Sequence, residues 1–249
     1  MERLLVYGPQ GSGKTHQLLN IAKWLQPTGA QFYVLDTDDS YSRNMEVEDF
    51  SALDNVHTTF AYDWEQYISW LDDVLPKVVA ERDWLVVDRV DKAWDRVQNF
   101  FSEEVYGKSL AERLTQSRKA MSAKKAMVVS ANDQADWQTI NANYQGWFMA
   151  TMYKSRCNIY LVAAERSVRD QDSEETKDSF GPLHGKPAGQ KTLAYEPHTV
   201  LRFYQDRKGA FFVTTAKDRG NRGYFDSVPL TNLALQYLFA KANFTRSRK

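Results

Sequence analysis

The chain of 249 residues holds a single cysteine, Cys157, and no net charge, because 32 Lys and Arg balance 32 Asp and Glu. One cysteine cannot build an internal disulfide framework, which sets aside the small cross-linked secreted folds and fits a reducing compartment. No apolar run approaches the ~20 residues of a membrane-spanning helix, and no leader-like segment precedes the first apolar stretch at Arg3–Tyr7. A cytoplasmic protein with no membrane partner is therefore expected. His16, His57, His184 and His198 share no metal-ligand spacing, so no zinc site is read.

The zero net charge hides an asymmetry. Between Asp36 and Glu104 there are 18 acidic and 6 basic residues. From Val105 to Lys125 the basic residues Lys108, Arg113, Arg118, Lys119, Lys124 and Lys125 face Glu112 alone, and the basic tail 241–249 adds Lys241, Arg246, Arg248 and Lys249. Arg113, Arg118, Lys119, Lys124 and Lys125 are the candidates for contact with a nucleic acid; a solvated helix face is the competing reading.

Short apolar runs alternate with helical spacing. Leu4–Tyr7, Gln31–Asp36, Val56–Ala61, Trp84–Asp88 and Asn158–Ala163 read as strands; Gly13–Leu25, Asp63–Ala80 and Trp137–Lys154 read as helices. On Asp63–Ala80 the apolar face is expected to be Trp64, Tyr67, Ile68, Leu71 and Leu75. Two or three polar helices are expected within Asp91–Lys125. Residues 167–190, rich in charge with three glycines and two prolines, read as a mobile loop. Thr199–Tyr204 and Ala210–Ala216 form a hairpin around a turn, and Leu230–Ala242 a closing helix. The expectation is one α/β domain over 1–240, with a mainly parallel sheet flanked by helices and a C-terminal antiparallel β-hairpin. Most tryptophans fall at core spacing; Trp137 and Trp147 are the two candidates for stacking on bases.

The pattern G-x-x-x-x-G-K-[ST] is complete from Gly8 through Pro9, Gln10, Gly11, Ser12 and Gly13 to Lys14 and Thr15, with His16 next in the helix. Glycines allow the tight turn that aims backbone N–H groups at phosphate oxygens, and the following helix adds its positive end. Lys14 is placed for the β and γ phosphates and Thr15 for Mg²⁺. Asp88, a carboxylate ending an apolar strand, is the second metal-site residue, with Asp91 a competitor. For the group that orients the attacking water the choice is Asp38, with Asp39 second. ATP and Mg²⁺ are the cofactors expected.

With these pieces in order the chain resembles the RecA-like ATPases. Besides the phosphate loop, Val34-Leu-Asp-Thr-Asp38 is similar to that family's strand ending in D-x-E, and Leu85-Val-Val-Asp88 to its second acidic strand, with Arg89 where a small hydroxyl residue is usual. Pro187-Ala-Gly-Gln190 and Ala216-Lys-Asp-Arg219 resemble its P-x-G-G segment and K-x-K strand. The resemblance implies that Lys217 and Arg219 reach a neighbouring subunit's ATP, that Glu165 or Arg166 stands at the polar sensor, and that 167–190 takes the place of a DNA loop. Compact chains of this kind look most like bacteriophage RecA-like proteins grouped with single-strand annealing recombinases. That likeness implies a homo-oligomer (ring or filament), single-stranded DNA, a single-strand-binding protein and a host cytoplasm. A nucleotide-switched assembly ATPase without nucleic acid is the alternative. A small-molecule kinase fits less well, for want of an arginine-rich lid between the first helix and Asp88.

Overall fold

A computed structural model of the chain describes residues 1–46, 50–78, 80–122, 133–219 and 226–229. Its first strand, β1 (Arg3–Gly8), leads through the glycine-rich turn into α1 (Lys14–Leu25). Then follow β2 (Phe32–Asp36), α2 (Ser40–Met45), β3 (Val56–Phe60), α3 (Trp64–Val74) and β4 (Trp84–Val87). Three helices, α4 (Val90–Tyr106), α5 (Leu110–Ser122) and α6 (Gln134–Tyr153), precede β5 (Asn158–Arg166). The C-terminal part supplies α7 (Glu174–Phe180), β6 (Lys186–Pro187), β7 (Thr199–Gln205), β8 (Phe211–Asp218) and β9 (Val228–Pro229).

The strands form one sheet in the order β3-β2-β4-β5-β1-β7-β8-β9, with β6 on the end of β5. From β3 to β7 all neighbours are parallel; β8 and β9 run antiparallel. The expected hairpin is therefore present, but its first strand joins the parallel set beside β1. Parallel strands need both faces covered, and alternate residues divide accordingly. Leu5, Tyr7, Ile159 and Leu161 pack with α3, α4 and α6 on one face. Leu4, Val6, Tyr160 and Val162 pack with Leu18, Leu19 and Ala22 of α1 on the other.

Four expectations change. Helix α3 stops at Val74, not Ala80, because Pro76 restricts the residue before it and cannot donate to the ladder. Its inward face carries Trp70, while Ile68 is 42% exposed. Residues 167–190 are not a structureless loop: Ser173 caps α7 by accepting the Thr176 N–H, and β6 pairs with Glu165 and Arg166. Trp147 is core, its Nε1 donating to the Tyr67 carbonyl at 3.2 Å, so it offers no base a platform. Met127–Ser130, the closing helix and the basic tail lie outside the described residues. Among the described residues no helix is long and apolar enough to cross a membrane.

Candidate nucleotide-binding site

Strand β1 ends at Gly8, and the chain reverses over five residues to start α1 at Lys14. Gly11 and Gly13 sit at φ 75° and 85°, where a Cβ would be strained. No side chain caps α1. Its first N–H groups have no intrahelical partner either, so they are available to an anion. The Lys14 ammonium folds back over the loop, donating to the Gly8 carbonyl at 3.0 Å, the Pro9 carbonyl at 2.7 Å and Ser12 Oγ at 3.3 Å. Burial holds this ammonium below its ordinary pKa, with Asp88 opposing. A phosphate oxygen can replace those carbonyl partners with a charged one.

Thr15 is the next residue, and its Oγ1 donates to Asp88 Oδ2 at 3.2 Å. The same carboxylate oxygen accepts from Ser40 Oγ at 3.2 Å. Asp88 is 2% exposed, and burial, then Asp38 and Asp36, push its pKa up to about 7. A buried carboxylate pressed by two others is a place where a cation is favoured. The donors fit Mg²⁺: hydroxyl and carboxylate oxygens, at a site open to phosphate and water. Among the described residues no group of three or more His, Cys, Asp or Glu could hold a metal alone. Mg²⁺ would rest on Thr15 and Asp88 together with substrate oxygens, as Mg²⁺ sites commonly do.

The acids after β2 separate by role. Asp36 is spent on structure, accepting the N–H groups of Asp38, Ser40 and Tyr41 at 3.2, 3.3 and 3.0 Å and so fixing the start of α2. Asp39 occupies the left-handed N-cap of α2 at φ 57°. Asp38 keeps an exposed carboxylate, 3.8 Å from Arg89 Nη1.

Further partners, which sequence reading assigned to other tasks or missed, close the site. Asp91 accepts Arg89 through Nε (3.1 Å to Oδ1) and Nη2 (2.9 Å to Oδ2), and also takes the Ala164 N–H at 3.1 Å, tying α4 to the end of β5. Glu165, one of the two residues expected at the polar sensor, accepts Arg202 at 2.6 and 3.0 Å. Arg166 borders a cavity of about 840 Å³ between α7, β6 and β8. Ser40 and the Asp91–Ala164 bond carry no sequence signal, because both depend on tertiary approach.

His16 packs edge-on against Phe50, with ring centroids 5.1 Å apart. Lys217 donates to the carbonyls of Ala194 (3.0 Å) and Tyr195 (2.6 Å), and Arg219 to that of Tyr195 (3.1 Å). The two cations stand together, and among the described residues no hydrogen bond or ion pair joins either to Lys14, Thr15, Asp38 or Asp88. On α5, Arg118 and Lys119 are exposed, whereas Arg113 lies over the Tyr106 ring at 3.5 Å and 3.9 Å from Asp136. Lys124 and Lys125 lie outside the described residues. Trp137, 39% exposed, stacks on Trp94 with centroids 6.3 Å apart.

No curated protein matches the chain. A family model described as an AAA domain matches residues 2–224, a span that takes in the phosphate loop, Asp88, β5 and the β7–β8 hairpin. Together with the parallel sheet and its Lys14–Thr15–Asp88 cluster, that match places the chain in the AAA-domain family, as a P-loop nucleotide-binding ATPase.

Proposed function

We propose that this protein hydrolyses ATP with Mg²⁺ and couples hydrolysis to binding single-stranded DNA, in recombination, annealing or replication of the phage RecA-like kind. The observation that carries the hydrolytic part is the joint between Thr15, Asp88 and Ser40, which lies beside an exposed Asp38 and a Lys14 ready to exchange carbonyls for phosphate. Lys14 neutralises the β and γ phosphates, Thr15 and Asp88 hold Mg²⁺, and Asp38 orients and deprotonates the attacking water. Mg²⁺ held by Thr15 and Asp88 would supply charge stabilisation when bound. The DNA part is supported by α5, where Arg118 and Lys119 are exposed in a basic stretch that follows the acidic 36–104 span in the sequence.

The test is ATP turnover with and without single-stranded DNA, with Lys14→Ala as the blank. Removing a charge placed on the transferring phosphoryl group should lower turnover by about a hundredfold or more. DNA should raise the wild-type rate several-fold, and DNA affinity should fall steeply with salt. Turnover indifferent to DNA would sink the DNA part and leave the ATPase part standing.

Lys217 and Arg219 are proposed to complete a neighbour's site in a ring or filament, with a single-strand-binding protein as a further partner. Arg219→Ala should then lower turnover at assembling concentrations by at least about tenfold. An unchanged rate removes the contribution in trans. The second reading, a nucleotide-switched assembly factor without nucleic acid, is favoured by the 167–190 segment. There the cations Lys186 and Lys177 are engaged by Asp172 and Glu174.

A further inference from the structure

Arg89 follows the metal-site aspartate directly, and its backbone is left-handed, at φ 59° and ψ 50°. A non-glycine residue held there carries about 1–2 kcal/mol of strain, the kind that clusters at functional sites. From this turn the guanidinium reaches Asp91 and approaches Asp38. Asp91 grips the Nε and Nη2 edge of the guanidinium, and Asp91 is itself fixed by the Ala164 N–H. The remaining nitrogen, Nη1, is left toward Asp38 at 3.8 Å, too long for a hydrogen bond. One edge of this cation is therefore anchored and the other is loosely engaged by a partly exposed carboxylate, an ion pair worth about 0–1 kcal/mol. Arg89 also lies close enough to Lys14 to disfavour its charge.

Resting on the hydrolase reading above, the geometry points to Arg89 as a catalytic cation supplied by the chain itself. Its Nη1 leaves Asp38 for an oxygen of the γ-phosphoryl group, and Asp38 is freed to take the attacking water. In the step this serves, the water oxygen bonds to the γ-phosphorus while the bond from that phosphorus to the bridging oxygen breaks. The electron pair departs with ADP, and the water proton passes to Asp38. Charge on the equatorial oxygens meets a guanidinium already held in place, which costs no reorganisation at the moment of reaction. The exchange also explains why an arginine is tolerated beside Asp88: without a nucleotide it offsets part of the charge of Asp38 and Asp91.

The experiment compares wild type with Arg89→Gly and Arg89→Lys. Glycine relieves the left-handed strain, so the fold has a reason to survive; lysine keeps the charge but loses the fork that Asp91 holds. Turnover should fall by at least about a hundredfold in Arg89→Gly with KM within about threefold. ADP binding should persist, while retention of ADP with aluminium fluoride, a mimic of the transferring group, should be lost. Added guanidinium should restore several-fold turnover and fluoride-dependent retention to Arg89→Gly, and Arg89→Lys should stay impaired. Wild-type turnover with an Arg89→Gly variant that matches it, or that retains the fluoride complex, overturns this assignment alone. Wild type that binds ADP but neither turns over ATP nor retains the complex overturns the hydrolase reading with it.

Discussion

Asp88→Asn is expected to abolish Mg²⁺-dependent turnover and, at the same time, to stabilise the nucleotide-free protein above neutral pH. The loss follows from the site: asparagine cannot offer Mg²⁺ a negative oxygen beside Thr15, and charge stabilisation of several kcal/mol corresponds to at least about a hundredfold in rate. The gain follows from burial. Asp88 is raised from 3.8 to about 7 in the fold, by burial first and then by Asp38 and Asp36. Between those values the folded state binds a proton that the unfolded state has released. Stability therefore falls as pH rises from about 4 to about 7 and is level above that. Three units correspond to about 4 kcal/mol at most. Asparagine is neutral throughout, and its carbonyl can still accept from Thr15 and Ser40. Denaturant unfolding of both proteins with chelator, at pH 5 and pH 8, measures the effect. The variant should be the more stable at pH 8, by a margin that shrinks at pH 5; a margin equal at both would show that Asp88 bears no such strain.

The second large effect is steric. A Cβ on Gly8 would stand 1.9 Å from the Phe203 carbonyl oxygen and 2.9 Å from Ser12 Oγ. Strand β1 cannot step aside, because β5 holds its other edge, and β7 is backed by β8. Gly8→Ala must therefore part β1 from β7 at the phosphate loop, a clash worth about 3 kcal/mol or more. In a domain of this size that lowers Tm by roughly 6–12 °C, and nucleotide binding should be lost with it. Gly11→Ala is the comparison. No atom lies within 4 Å of its Cβ, so only the left-handed backbone at φ 75° is penalised, at about 1–2 kcal/mol. Thermal melts that rank Gly11→Ala below Gly8→Ala would show that strand packing does not govern this glycine.

Legibility in the sequence tracks how local each determinant is. The phosphate loop is a contiguous motif with contiguous chemistry, and Lys14 and Thr15 stand where spacing places them. Asp88 was readable because a fully apolar run, Trp84–Val87, ends on it. The end of α3 was misjudged although Pro76 marks it, because apolar residues continue past the proline. Strand β6 is two residues long and pairs with the tip of another strand, so no periodicity announces it. Arg202 and Glu165 meet across 37 positions, and Asp91 and the Ala164 N–H across 73. Nothing in one sequence records such meetings. Trp137 and Trp147 were indistinguishable by spacing, and only the packing of α6 sends one to the surface and the other to the core.

The strand order has a consequence for synthesis. The phosphate loop on β1 and the metal-site aspartate after β4 are not neighbours; β5 lies between them and pairs with both. Both halves leave the ribosome early, yet the strand that sets their spacing does not finish until Arg166. At about 5–20 residues per second, the stretch from Asp88 to Arg166 takes roughly 4–16 s to translate. During that interval a nascent chain can present the glycine turn and the carboxylate but cannot bring Thr15 to Asp88. The site for the nucleotide is thus complete only once β5 has joined β1 to β4.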